Sequence, residues 1–456
     1  MSSNPKKVPC IRTALPGPKA KQLIAAEEKV ISPSYTRDYP LVVRRGSGLV
    51  IEDVDGNTFL DFAAGIAVCA TGHCHPRVVA AIRRQAGELL HICGADYHYA
   101  PMKDLALKLA EIAPGKSPKR VYFGNSGAEA VEAAFKLARY ATKRPRMIAF
   151  LGGFHGRTMG ALALTGSKAA QRRGFGTLVP DVTHIPYAYC YRCAYRLAPE
   201  TCDLACVGVL EDTLFRKTLP PEDVAAVIVE PIQGEGGYIV PPPGFHKRLK
   251  ALTEKYGILF IADEVQSGMG RTGRMFAIEH WGVTPDIVCA AKGLASGLPL
   301  GAMIARGDIM QWPRGAHGST FGGNPVACAA ALETIRLVQE GLMDNAEAMG
   351  RVMMEGLKAL KSRHLLIGDV RGVGLMIGIE IVSDPVSKAP AVAERNDIVV
   401  RCFQKGLVLL GCGESVVRFS PPLVVTKAEC ATALLILDEV LTDVETERLA
   451  ARRKGK

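Results

Sequence analysis

The sequence predicts an α/β fold: a mostly parallel central sheet wrapped by helices, followed by a smaller α+β C-terminal domain. Three observations predict it. Apolar runs of four to six residues recur between residues 120 and 292, and each delivers polar residues at its C-terminal end. Helical patterns such as Phe245 to Tyr256 separate several of these runs. From Pro325 the pattern changes to long helices and then strands. A chain of 456 residues exceeds one small core. We expect an N-terminal arm and small-domain segment over 1–65, a large domain over 66–335 and a C-terminal small domain over 336–456.

Taken in order, the arm carries early Pro and Gly and a helical stretch around Lys19 to Val30. Leu49 to Glu52 and Thr58 to Phe62 read as strands joined at Asp55-Gly56, a hairpin turn. A loop then leads to a helix starting near Pro76. After a helix over Lys103 to Ile112 comes a strand, Arg120 to Phe123, a small-residue turn and a helix from about Gly127. RMIAFLGGFHGRT, AAVIVEPIQGEGG, GILFIADEVQSG and DIVCAAKG repeat the theme. Ligands of such sheets bind off the carboxyl ends of the strands. The polar groups delivered there are Asn125-Ser126-Gly127, Phe154 to Arg157, Glu230, Asp263-Glu264 and Lys292, and they should converge on one crevice.

Composition narrows the function. Hydrophobic content of 48% and charged content of 22% suit a soluble globular enzyme. No apolar run is long enough to span a bilayer. MSSNPKKVPC has no apolar stretch behind it, and Pro9, Pro16 and Pro18 break a transit-type helix, so a cytoplasmic protein is expected. The net charge of +11 is spread along the chain apart from the tail ARRKGK. Without a basic stripe interleaved with aromatics it argues for anionic cofactors and carboxylate substrates rather than nucleic acid.

The chemistry centres on Lys292. A lysine rarely ends a buried apolar run, because removing water from an ammonium is costly. Desolvation also lowers a lysine's pKa, which suits the amine to a Schiff base. The plain alternative is a lysine that snorkels to solvent. Asp263 ends the neighbouring run, and one chemistry uses both residues. A carbonyl cofactor would form an imine with the lysine, while the carboxylate would hold a ring nitrogen protonated, which is the pyridoxal phosphate arrangement. Ser126-Gly127-Ala128 opens a helix whose free N–H groups would cradle the phosphate, although Ser126 alone reads as a cap. Phe154 could stack on a flat ring or simply pack in the core. Gly268 to Gly273 matches GxGxxG, but Asp263 to Ser267 intervene after the strand, so a dinucleotide site is not inferred.

The stretches GIAVCATGHCHP, FGNSGAEAVEAAFKLAR, GGFHGRT, VEPIQGEGG, ADEVQSGMGRTG, AAKGLASGLPLGA and HGSTFGGNPVACAAA together resemble the class III aminotransferases, pyridoxal phosphate enzymes of fold type I. The resemblance runs from about Pro40 to Leu437. It implies that Lys292 carries the cofactor as a Schiff base, Asp263 pairs with its ring nitrogen, Gln266 approaches the phenolic oxygen and Phe154 stacks on the ring. It further implies that Gly127 and Ala128 bind the phosphate with Ser126 beside them. Thr320 would reach the phosphate of the partner subunit's cofactor in a homodimer or larger homo-oligomer. Arg157 resembles the arginine that takes the distal carboxylate of ω-amino substrates. Glu235 and Arg418 resemble a gated ion pair that opens for the α-carboxylate of glutamate or 2-oxoglutarate. Ile66 looks like the 4-aminobutyrate branch, although acetylornithine-type members also read GIAV.

These implications make the expected activity transfer of an amino group from an ω-amino acid, 4-aminobutyrate above all, to 2-oxoglutarate. Ornithine or acetylornithine transfer, and racemisation on the same scaffold, are the alternatives. One segment departs from the family pattern. Cys190, Cys193, Cys202 and Cys206 are spaced C-x2-C-x8-C-x3-C, which could hold a structural zinc or leave four loop thiols. No metal is assigned to the reaction.

Overall fold

The apolar runs become strands of one seven-stranded sheet in the computed structural model, which describes residues 8–454. Across the sheet the order is Lys119–Gly124, Gly301–Arg306, Ile287–Ala290, Leu259–Asp263, Val224–Val229, Arg146–Leu151 and Val182–Pro186. The last five are mutually parallel, and Gly301–Arg306 runs antiparallel to both its neighbours. Val224–Val229, Leu259–Asp263 and Ile287–Ala290 are buried along their whole length, which is why they read as unbroken apolar runs. Two strands were not expected, Val182–Pro186 and Gly301–Arg306. The first sits at the sheet edge, half-buried and partly polar. The second follows a Gly- and Pro-rich stretch that reads as loop.

The helix Gly127–Thr142 lies against this sheet through Ala130, Ala133, Ala134 and Ala138, whose small side chains allow a close approach. Lys143 stops it in a left-handed conformation. The helix Phe245–Tyr256 ends in the same way at Gly257, φ +62°.

The chain divides into two units, Pro76–Asp344, which holds this sheet, and Met1–His75 with Asn345–Lys456. The unit built from both chain ends has two four-stranded sheets. In one, Val43–Ser47, Val50–Asp53 and Thr58–Asp61 form an antiparallel meander, and Leu407–Val408 adds parallel to Thr58–Asp61. The other, Ile367–Val373, Met376–Ile381, Val416–Phe419 and Leu410–Cys412, is antiparallel throughout. The hairpin turn at Asp55-Gly56 forms, and Asp55 has a second use. Its carboxylate accepts from Lys19 N at 3.0 Å and Ala20 N at 2.9 Å, capping the helix Pro18–Glu27.

Beyond Asp61 the backbone turns left-handed for four residues. Ala64, Gly65, Ile66 and Ala67 have φ of 48°, 61°, 67° and 58°. Each non-glycine there costs about 1–2 kcal/mol. The buried carboxylate of Asp61 supports the turn, accepting from Ala63 N and Ala64 N at 2.9 Å each, and its other oxygen meets His73 Nε2 at 2.8 Å. Among the described residues no helix is long and apolar enough to cross a membrane.

Candidate active site

Within the unit Pro76–Asp344 the polar residues gather at the carboxyl ends of adjacent parallel strands. Asp263 ends its strand in register with Cys289, and Lys292 follows three residues further along the neighbouring strand's path. That strand stops at Ala290, so Lys292 lies beyond the sheet in the turn Lys292–Leu294. Its φ is +44°, an unfavourable conformation for a lysine and of the kind that collects at functional sites.

Asp263 is 3% exposed, and each oxygen of its carboxylate has one hydrogen-bond partner. One oxygen accepts from Val265 N at 3.1 Å, and the other lies 2.7 Å from His155 Nδ1. Burial alone would lower the His155 pKa. The hydrogen bond and charge of Asp263, with the charge of Glu230, outweigh burial and raise it. Its Nε2 is buried without a partner. Sequence reasoning placed His155 at this strand end and gave it no role. The available signal was its place in the turn at the C-terminal end of Arg146–Leu151; the contact itself bridges 108 residues.

Glu230 is also buried. Its two oxygens accept from Phe154 N and Gly234 N, each at 3.1 Å. Burial, reinforced by Asp263 and opposed by His155, pushes its pKa up to about 7.

The start of the helix Gly127–Thr142 fits an anion. Ser126 caps it, accepting from Glu129 N at 3.2 Å and donating to Glu129 Oε2 at 3.1 Å. Glu129 also receives Asn125 N at 2.7 Å and Asn125 Nδ2 at 3.0 Å, tying the residue before the cap to the first turn. The Ser126 oxygen is therefore engaged with its own helix. The N–H groups of Gly127 and Ala128 have no carbonyl to reach within the helix and are the ones left for a phosphate. The site is tight underneath: a Cβ on Gly127 would lie 2.7 Å from Val265, and one on Gly301 would lie 2.1 Å from the Ser126 carbonyl.

The other expected residues divide between the two units. Gln266 is 7% exposed, with Oε1 buried and unpartnered, an atom that a ring substituent could satisfy. Phe154 is half-buried, and the guanidinium of the exposed Arg157 lies 5.8 Å from the centre of its ring. Glu235 stands 3.6 Å from Lys168. Thr320 is exposed; its neighbour Ser319 is the residue that meets Asn125 Nδ2, at 3.2 Å. Ile66 and Arg418 belong to the other unit. Ile66 is 42% exposed on the left-handed turn. Arg418 is buried in Val416–Phe419, in register with Gly378 and Leu410.

Gly268 to Gly273 forms a run of turns and opens no helix. The four cysteines line one cavity of about 20 Å³ together with Tyr187, Tyr189 and Tyr195. Among the described residues, however, no three His, Cys, Asp or Glu side chains form a group that could hold a metal ion. Burial and the neighbouring thiols push Cys206 up to about 11, so it stays a protonated thiol at neutral pH.

A lysine just past one strand end, a carboxylate at the end of the neighbouring strand and an open helix start are features that a pyridoxal phosphate enzyme of fold type I requires. The sequence model described as Aminotransferase class-III matches residues 31–441. The chain is 41% identical over 442 residues to an alanine/serine racemase of Pyrococcus horikoshii, covering 95% of this chain and 93% of that one. It is 40% identical over 429 residues to the 4-aminobutyrate aminotransferase GabT of Escherichia coli, covering 93% and 99%. The omega transaminase from Pseudomonas jessenii in complex with PMP superposes with a TM-score of 0.86 at 30% identity, covering 92% and 98%. The chain belongs to the class III aminotransferases, and its cofactor is pyridoxal 5'-phosphate.

Proposed function

We propose that the protein moves the amino group of an ω-amino acid, 4-aminobutyrate first, to 2-oxoglutarate, working as a homodimer or larger homo-oligomer. The observation that carries this reading is Arg157 beside the Phe154 ring, an exposed cation next to the residue that would stack on the cofactor. A carboxylate at the far end of an ω-amino substrate would meet it. The relationship to GabT supports the same choice.

When bound, pyridoxal phosphate supplies a carbonyl for the amino group and a ring that accepts the electron pair left when a C–H bond breaks. Gly127 and Ala128 would hold the phosphate through backbone N–H groups, with Thr320 reaching the one in the partner subunit. Phe154 would cover the ring and Gln266 would meet its phenolic oxygen. Asp263, with His155 hydrogen-bonded behind it, would keep the ring nitrogen protonated. The Lys292 amine would take the proton from the amine-bearing carbon and return it on the cofactor side. Glu235 and Arg418 would pair while an ω-amino substrate is bound and separate for the α-carboxylate of 2-oxoglutarate. Ile66 would offer the amine end an aliphatic neighbour.

A second reading, amino acid racemisation, is favoured by the relationship to the alanine/serine racemase. The same lysine serves it, with the proton returned to the carbon it left. The deciding experiment is glutamate formation by the pyridoxal phosphate-loaded protein given 4-aminobutyrate, with and without 2-oxoglutarate. Glutamate only when both are present supports the transaminase. Loss of optical rotation from a single-enantiomer α-amino acid with no keto acid present would replace it with the racemase.

A further inference from the structure

Glu230 belongs to neither the cofactor set nor the substrate set above, yet it is buried where two loops meet. One loop follows Arg146–Leu151 and carries Phe154 and Arg157. The other follows Val224–Val229 and carries Glu235. One oxygen of Glu230 accepts from the first loop at Phe154 N, and the other accepts from the second at Gly234 N, both at 3.1 Å. Gln233 adds a parallel stitch, donating from Nε2 to Leu151 O at 2.9 Å. Gly152 and Gly236 leave room for it, since a Cβ on either would come within 2.6 Å or 2.4 Å of its Oε1.

We propose that Glu230 is a positioning residue whose ionised carboxylate clamps the Phe154–Arg157 turn to the Glu235 loop and so sets the spacing between Arg157 and Glu235 in the substrate site. This rests on the reading of Arg157 and Glu235 given above. The chemical requirement is narrow. Two N–H donors approach two different oxygens, so both oxygens must be acceptors. An amide offers one acceptor and turns an NH₂ toward the other N–H. A protonated carboxyl leaves only a weaker acceptor at its hydroxyl oxygen. The carboxylate therefore holds both loops most strongly, and it does so against the cost of burial.

The groups facing Glu230 are His155 and Asp263, which act on it through their charge, and Tyr187, whose hydroxyl donates to the Glu230 carbonyl at 3.0 Å. With its pKa near 7, Glu230 takes up a proton just below neutrality and weakens its hold on one loop. The stability effect has the opposite direction. The folded-state pKa is raised above the usual value of 4.5. Stability linked to Glu230 is therefore fully present below that usual value and is lost as pH rises through 7. Activity should fall below pH 7 with no accompanying contribution from this group to unfolding.

The test compares wild type, Glu230→Gln and Glu230→Asp, each loaded with pyridoxal phosphate, across pH 5.5–9. The readouts are kcat/KM for 4-aminobutyrate and for 2-oxoglutarate, visible circular dichroism of the bound cofactor, and thermal unfolding. Glu230→Gln is expected to lose roughly ten-fold or more in kcat/KM for both substrates at pH 8, the scale of one buried group left unsatisfied. It should also lose the acid limb near pH 7, with Glu230→Asp recovering part of the rate. A Gln variant that keeps the wild-type kcat/KM and acid limb overturns the proposal. So does a Gln variant that loses rate and unfolding temperature together while the acid limb stays in place. If the wild type turns over neither substrate, the functional reading fails, and the dichroism still decides the clamp. A cofactor signal that titrates near pH 7 in wild type and Glu230→Asp but not in Glu230→Gln sustains it, and a flat signal in all three overturns it.

Discussion

Lys292 occupies a left-handed turn immediately after the strand that carries the chain to it, so its amine belongs to the turn and not to the sheet. Replacing it with alanine should lower turnover by at least 10²–10⁴-fold, the range of a positioned acid–base group. The same variant should no longer be fixed to the cofactor by borohydride, which intact-mass measurement would detect. Ile66 shares the left-handed conformation, and there a β-branched side chain is least at ease. Because the side chain is 42% exposed, Ile66→Gly should leave stability unchanged or raise it by up to about 1 kcal/mol in chemical denaturation. Its effect should appear instead in the relative kcat/KM for 4-aminobutyrate and ornithine. The placement of Asp263 at a strand end and of Lys292 just past one was legible in the sequence because each ends an apolar run, where a charge stands out. His155 was not legible as the partner of Asp263, because a hydrogen bond between two strand ends leaves no mark on local composition.

Among the elements, the strand Gly301–Arg306 shows why part of the fold stayed hidden. Hydrophobic periodicity reports burial and cannot report direction, so a reversed strand within a parallel sheet looks like any other. Its first residue, preceded by Gly297 and Pro299, resembled the end of a loop. That residue matters for the site, since Gly301 lies directly beneath the Ser126 carbonyl. Gly301→Ala should force the start of the helix Gly127–Thr142 off the sheet and destabilise the protein by about 1–3 kcal/mol. Affinity for pyridoxal phosphate, measured by fluorescence titration, should fall in the same variant. The long buried strands and the helices between them were readable because both faces of each strand are covered. The edge strand Val182–Pro186 was not, because its half-buried face dilutes the apolar signal.

For the whole molecule, the titrating groups act in a common direction above neutrality. Glu230 and Glu264, buried and raised to about 7, and His73, raised to about 10 chiefly by its hydrogen bond to Asp61, all have folded-state pKa values above their usual ones. The stability each contributes is present at low pH and lost as pH rises through its folded pKa. His246, lowered to about 4 by burial, acts oppositely, losing its contribution as pH falls from about 6.5 toward 4. Between pH 7 and 10 these four groups contribute only losses, so the unfolding temperature should decline by roughly a few degrees across that interval. His73→Gln should flatten the decline, as followed by scanning calorimetry at closely spaced pH values.

The two units also differ in how the chain supplies them, and this affects how the protein is made. Pro76–Asp344 is one continuous stretch that can begin to pack as it leaves the ribosome. The other unit draws on both ends of the chain, and its Thr58–Asp61 strand waits for Leu407–Val408. At roughly 5–20 residues per second that edge stays unpaired for tens of seconds during synthesis. A nascent chain that stalls or is truncated before Leu407 therefore leaves an exposed strand edge, the form most open to mispairing and to capture by chaperones.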